Sequence, residues 1–169
     1  MLSEGYLAQQ QEMHINPRYG AASGKMASRV QKIVNSERPS SILDYGAGKC
    51  LLSKSINSRG AWFAEYDPCV PEIAELPAGK FHLVCCIDVL EHVEPEYLDD
   101  VLASIRSKTA RTAFLTIHTG PAGKFLPDGR NAHLIQEGIE WWDEQLHRHF
   151  DTVSLEMVKD TTIVARATA

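Results

Sequence analysis

The stretch Ser41 to Leu52, SILDYGAGKCLL, constrains the fold of this chain more than any other. Ile42, Leu43, Asp44 and Tyr45 read as a short buried strand, Gly46-Ala47-Gly48 as a turn, and Leu51, Leu52, Ser55 and Ile56 as the start of a helix ending by Gly60. Glycines belong in such a turn because a side chain would collide with a bound ligand or force a disallowed φ, and the helix that follows offers free N–H groups. A lone G-x-G occurs in many folds, so its flanks decide what it means.

Downstream, Ala61 to Tyr66 reads as a second strand closed by Asp67-Pro68, which completes a β-α-β unit. Asp67 lies 19 positions beyond Gly48, about where nucleoside-binding α/β folds place the acid that accepts the ribose hydroxyls. The segment Cys69 to Lys80 is short and holds Pro71, Pro77 and Gly79, so an abbreviated sheet edge is expected there. Phe81 to Ile87, FHLVCCI, is an apolar run of strand length, the pattern of a strand buried on both faces of a parallel sheet. Pro95 then opens a helix carrying Leu98, Val101, Leu102 and Ile105 on one face. A strand over 112–118 leads into a Gly/Pro-rich loop, Thr119 to Asn131, at the sheet end where open α/β folds bind ligands. His133 to His149 reads as a helix with Ile139, Trp142 and Leu146 inward. Phe150 to Val158 and Thr161 to Ala167 read as a hairpin joined by Lys159-Asp160.

Ahead of the first strand, Ala22 to Glu37 shows helical spacing with Ser23 as its cap, and residues 1–20 form a polar lead-in bent at Asn16-Pro17 and Tyr19-Gly20. One domain spanning 1–169 is expected, with no internal repeat and no boundary. The formal charge of −5 disfavours a general nucleic-acid or anionic-membrane binder. Cys50, Cys69, Cys85 and Cys86 lack zinc-ligand spacing and read as reduced core thiols of a cytoplasmic protein, and no apolar run approaches the ~20 residues of a membrane span.

Taken together, ILDYGAG, the acid in AEYDP, the stretch LVCCIDVLEHV and the terminal hairpin stand in the order found in class I S-adenosylmethionine-dependent methyltransferases. The apolar strand followed by D-V-L-E-H-V is the most specific part, and the resemblance covers the chain from about residue 20 to the end. With its Pro-Arg-Tyr-Gly lead-in and D-G-R-N-A-H-L segment, the chain also resembles a small bacterial and phage subgroup without an assigned substrate. The resemblance implies a three-layer α/β/α Rossmann-like fold with a mostly parallel sheet, S-adenosyl-L-methionine as cofactor, and methyl transfer. It implies that Asp44, Gly46 and Gly48 serve the methionine end of the cofactor, with Asp44 organising its ammonium group or the turn. Asp67 would hold the ribose, Asp88 and Val89 would line the pocket near the sulfonium, and Tyr19 would close over the methionine end. The family usually places a third glycine where this chain has Cys50.

The acceptor side is read from the residues. His118 and His133 are candidate bases, and Lys124, Asp128, Arg130, Asn131 and His133 make the long loop polar with a fixed cation. A small polar acceptor such as a sugar, nucleotide or carboxylate suits that set, whereas duplex nucleic acid does not. Asp88, Glu91 and His92 stand at i, i+3 and i+4, which admits a metal site, but capping and packing of the loop explain Glu91 and His92 equally and no metal is expected. Trp141 and Trp142 read as one core ring and one surface ring, and His147 and His149 as surface residues at a helix end. Two other readings stand beside methyl transfer: a non-catalytic nucleoside-binding protein on the same fold, and a nicotinamide-dependent enzyme.

Overall fold

The computed structural model describes residues 2–169. A six-stranded sheet of order β2-β1-β3-β4-β6-β5 organises it. Its strands are β1 (Ser41–Tyr45), β2 (Trp62–Tyr66), β3 (Phe81–Ile87), β4 (Thr109–His118), β5 (Thr152–Val158) and β6 (Thr162–Thr168). The first four pair in parallel, and β6 runs antiparallel to both β4 and β5. This is the mostly parallel Rossmann-like sheet that the resemblance implies, with an antiparallel C-terminal hairpin. The edge beyond β2 is abbreviated as expected: between β2 and β3 the chain makes only the 3-10 turn Pro71–Ile73.

Helices α2 (Ala27–Glu37), α3 (Leu51–Ser55), α4 (Leu98–Lys108) and α5 (Ile139–His147) flank the sheet. Side chains alternate across a strand, so Leu83, Cys85 and Ile87 pack with Val30, Ile33 and Val34 of α2, while Val84 and Cys86 meet Val101, Leu102 and Ile105 of α4 and Trp142 and Leu146 of α5. Burial on both faces is what makes FHLVCCI continuously apolar. All four cysteines are free thiols, and the adjacent Cys85 and Cys86 serve opposite cores. Trp142 is fully buried and Trp141 lies partly buried against the same core.

Several boundaries differ from the sequence reading. The lead-in contains a further helix, α1 (Glu4–Ile15), capped by the Ser3 side chain. It lacks an apolar stripe and therefore gives no periodic signal. Ser23 does not cap α2: a 3-10 turn, Ser23–Met26, precedes that helix, which starts without a side-chain cap, and the Ser23 hydroxyl is buried and unpartnered. Helix α3 stops at Ser55 and α5 covers only 139–147, since His133 to Gly138 line a loop. His147 is half-exposed at the end of α5 as read, but His149 is largely covered and its ring pairs with Asp99 at 2.9 Å. The hairpin turns through Lys159 and Asp160, both at positive φ.

Cys50, in the place of the third glycine, has φ 54° and ψ 42° at the start of α3. The position therefore wants glycine for its left-handed backbone, a stronger requirement than the small size that close helix packing asks for. Cys50→Gly should raise stability by ~0.5–1 kcal/mol, the relief of left-handed strain less the entropy glycine adds to the unfolded chain. Urea unfolding reads this as a higher midpoint at unchanged slope.

Candidate functional site

The chain leaves β1 toward β2 on one side and reaches β3 on the other, so the carboxyl ends of β1 and β3 form the crevice where open α/β sheets bind ligands. A cavity of ≈ 570 Å³ opens there, within the size range of small-molecule sites. Gly46, Gly48 and Tyr66 to Cys69 line one side of it, Asp88 and Val89 the floor, and His118, Lys124 and His133 the far side. The lead-in supplies the remaining wall through Tyr6, Gln10, His14 and Arg18 to Ala22.

Each wall has a local cause. The N–H groups of Gly46 and Ala47 both donate to the Tyr66 carbonyl, at 2.7 and 3.0 Å. Asp67 accepts the Gly48 N–H with one carboxylate oxygen and the Cys69 N–H with the other, each at 2.9 Å. The expected ribose acid thus also locks the glycine turn. The two glycines answer to the chain itself as well as to a ligand. At Gly46, φ +79°, a Cβ would collide with Val89 Cγ2; at Gly48, φ +52°, it would collide with the Gly20 carbonyl. Asp88 adopts φ 52°, a conformation aspartate tolerates better than most residues. Thr116 holds it there, donating its hydroxyl to the Asp88 carboxylate at 2.7 Å while the Asp88 N–H donates to the Thr116 carbonyl.

Tyr19 lies in the cavity wall, buried, with its hydroxyl donating to Gln10 at 2.8 Å and the Lys124 ammonium 5.0 Å from its ring centroid. Burial pushes the Tyr19 phenol up to about 12. Gln10 donates in turn to Tyr6, whose hydroxyl donates to the His92 carbonyl. The lead-in is thereby tied to both sides of the cavity.

Asp44 lies behind the turn, fully buried, with neither carboxylate oxygen hydrogen-bonded. It does not hydrogen-bond the turn, which Tyr66 and Asp67 hold instead. Burial, then Glu65 and Asp67, raise its carboxyl to about 7. Glu91 is equally buried, and its carboxyl is raised to about 8 by burial and then by Asp88. One Glu91 oxygen accepts the His118 N–H at 2.9 Å, and the other has no partner. Glu91 and His92 stand on a 3-10 turn, Leu90–His92, so the expected i, i+3, i+4 helical face with Asp88 does not form. The fold instead brings Glu91 and His92 to His133, with one ligand atom of each within 4.8 Å of the others.

The D-G-R-N segment folds on itself. Asp128 and Arg130 pair at 2.8 Å across the tight turn at Gly129, Asp128 also accepts from Gln9, and the Asn131 side chain bridges to both backbone groups of Ala122. None of Asp128, Arg130 and Asn131 lines the cavity; Lys124 and His133 of the same loop do. Sequence reasoning missed Tyr6, Gln10, His14 and Lys25 as lining residues. Gly20, a turn residue at φ +68° packed on Gly48, was the one local sign that the lead-in meets the site.

A family model for a methyltransferase domain matches residues 19–160, and the chain belongs to that family of methyltransferase domains. No curated protein matches it. Among solved structures, Burkholderia thailandensis 1,6-didemethyltoxoflavin-N1-methyltransferase, bound to 1,6-didemethyltoxoflavin and S-adenosylhomocysteine, shares the fold at TM-score 0.66 and 17% identity over 99% of this chain and 90% of its own. Synechocystis PCC 6803 magnesium protoporphyrin IX methyltransferase, solved with S-adenosylhomocysteine, gives 0.60 and 16% over 86% and 82%. A candidate O-methyltransferase of Nostoc punctiforme gives 0.63 and 15% over 88% of this chain, which spans 57% of that protein's length.

The residues fit S-adenosylmethionine. Two glycines of the turn, Gly46 and Gly48, and an acid at the end of β2, Asp67, line the cavity, and the orphaned carboxylate of Asp44 stands behind it. Because the native Asp44 carboxyl titrates near 7 against ~4 for a free aspartate, the folded chain binds a proton that the unfolded chain releases between those values. That contribution to stability is fully present below about pH 4 and is lost as pH rises through 7. Measured by urea midpoints, the stability of Asp44→Asn relative to the parent should therefore improve from pH 4 to pH 8. A relative decline would contradict an uncompensated buried carboxylate.

Proposed function

We propose that this methyltransferase uses S-adenosylmethionine to methylate a small polar acceptor, such as a sugar, nucleotide or carboxylate-type metabolite. The observation that carries the reading is one cavity bounded on one side by Gly46, Gly48 and Asp67 and on the other by His118, Lys124 and His133. The cofactor supplies an already activated methyl group, so the protein need only hold an acceptor in line near ~3 Å and accept a proton where the acceptor has one. Asp67 serves the ribose hydroxyls, keeping a lone pair free on each oxygen beyond its backbone bonds. Gly46 and Gly48 admit the methionine portion, Asp88 and Val89 the sulfonium end, and Tyr19 with the lead-in closes that end from water.

On the acceptor side, Lys124 is the cation that faces the cavity and suits an anionic or hydroxyl-rich molecule. Asp128, Arg130 and Asn131 act through the loop they brace. The His133 Nδ1 lies 2.6 Å from the Gly120 carbonyl, so Nδ1 carries the proton and the Nε2 lone pair is free. The His118 Nδ1 lies 3.1 Å from the Gly120 N and 3.2 Å from its carbonyl oxygen. His133 therefore offers the cavity a lone pair. Two of the structural neighbours are named for small-molecule acceptors, 1,6-didemethyltoxoflavin and magnesium protoporphyrin IX, which supports a small-molecule acceptor here.

Calorimetry with S-adenosylmethionine, its demethylated product and NAD tests the assignment. The first two should bind and NAD should not; absence of binding by both adenosyl compounds would remove the reading. Asp67→Ala should weaken cofactor binding by ~1–3 kcal/mol through lost charge-assisted ribose bonds. Because Asp67 also holds Gly48 and Cys69, the thermal midpoint of the free variant is measured alongside. Unchanged cofactor affinity would place the ribose elsewhere.

A further inference from the structure

Glu91, His92 and His133 form a cluster of which the methyl-transfer reading uses only the His133 lone pair. The three residues come from two parts of the chain, the 3-10 turn after β3 and the end of the loop after β4, and one ligand atom of each lies within 4.8 Å of the other two. All three line the cavity. Glu91 is completely buried and keeps one carboxylate oxygen without any hydrogen-bond partner. Such an oxygen is costly to bury unless something pairs with it.

The two imidazoles are set in matching ways. His92 Nδ1 lies 2.7 Å from the Ala132 carbonyl and His133 Nδ1 lies 2.6 Å from the Gly120 carbonyl. A carbonyl only accepts, so both rings carry their proton on Nδ1 and present a bare Nε2 lone pair. Holding the far ring nitrogen by a backbone carbonyl is how proteins orient a metal-ligating histidine and choose its tautomer. The Glu91 carboxylate is braced as well, through the His118 N–H on its other oxygen. Two imidazoles and one carboxylate, each steadied from behind, place one ligand atom apiece within 4.8 Å of the others. A simple packing role explains the burial of Glu91 and His92 but not an unpartnered Glu91 oxygen beside two imidazoles.

We infer that Glu91, His92 and His133 bind one divalent first-row metal ion, facing the cavity, whose open positions take an oxygen of the methyl acceptor. The mixed nitrogen and oxygen donors select manganese, iron, cobalt or zinc over magnesium or calcium, which prefer all-oxygen sites. Three protein ligands leave positions open, the arrangement of sites that handle substrate, whereas structural sites are closed by four. The acceptor class narrows accordingly to molecules with a hydroxyl or carboxylate oxygen able to ligate a cation. His133 then serves as a ligand and takes no proton. The acceptor statement rests on the methyl-transfer reading; the metal site does not.

The test uses the full chain, freed of any tag and stripped of metal, titrated with Co²⁺ and followed by its visible d–d absorption, with Mn²⁺ followed by electron paramagnetic resonance. One ion per chain is expected, and Glu91→Gln and His133→Gln should each weaken binding at least about tenfold, a loss typical of disturbed metal sites. Circular dichroism of each variant identifies any that does not fold; the two lie on different segments, and either one suffices. No binding by the parent chain, or equal binding by both folded variants, overturns the site. S-adenosylmethionine calorimetry on the same stripped chain separates the two claims. Cofactor binding without metal binding refutes the metal site alone, and metal binding without cofactor binding refutes the methyl-transfer reading alone.

Discussion

Everything around the cavity depends on two backbones that nearly touch. Gly20 and Gly48 pack with no side chain between them, and the Lys49 N–H donates to the Gly20 carbonyl at 2.9 Å. A Cβ at Gly48 would collide with that carbonyl, and one at Gly20 would meet the His14 ring at 2.7 Å. The Lys49 ammonium donates to the His14 carbonyl at 2.6 Å. The glycine turn is thus joined on one side to Asp67 at the end of β2 and on the other to the lead-in. That crossing lets helix α1, which has no periodic apolar stripe, form part of a binding site. It is held by a small apolar cluster of Tyr6 and Met13 with Leu126 and Ala132 and by specific polar anchors: Ser3 on Glu94, Tyr6 on His92 and Gln10 on both tyrosines.

The site is also where the molecule gives up stability. Asp44 and Glu91 are carboxyls taken fully out of water without a lysine or arginine paired to them, and both are raised toward neutrality by that burial. Asp88 and Cys50 sit at positive φ. Such features cost of order 1–3 kcal/mol each and persist only where the surroundings over-determine them. Here Thr116 fixes Asp88, and the sheet supplies the excess stability: Leu83 to Ile87 of β3 are essentially inaccessible and join both cores. Unpaired acceptors and strained backbone gather at the carboxyl ends of β1 and β3, where a cofactor and an acceptor would meet.

Much of this architecture was legible residue by residue. The glycine turn, the double-sided strand β3, the abbreviated edge marked by Pro71, Pro77 and Gly79, and the hairpin at Lys159-Asp160 all follow from period, length and turn chemistry. The misreadings share a cause. Ser23 looked like a cap, residues 133–138 looked helical, and Asp88, Glu91 and His92 looked like one helical face, because local spacing cannot say when a 3-10 turn or a loop bound to its neighbours replaces an α-helix. Asp128, Arg130 and Asn131 looked like an acceptor set, yet Asp128 and Arg130 pair across Gly129 and Asn131 closes the loop on Ala122.

By itself, the sequence determined the order of strands and helices, the glycine turn and the acid that follows it, because those features are set by periodicities and spacings within a few dozen residues; the family came from the resemblance of its motifs to known methyltransferases. Tertiary structure alone decided which distant groups share the cavity. Tyr6 reaches the carbonyl of His92, Gly20 reaches Gly48, and His133 reaches Glu91 and His92 across β4 and its loop. The reason is physical: strand pairing at the switch point brings the ends of β1, β3 and β4 together whatever lies between them in the chain. Whether a buried carboxylate there finds a partner depends on what the loops place beside it, which no local pattern records.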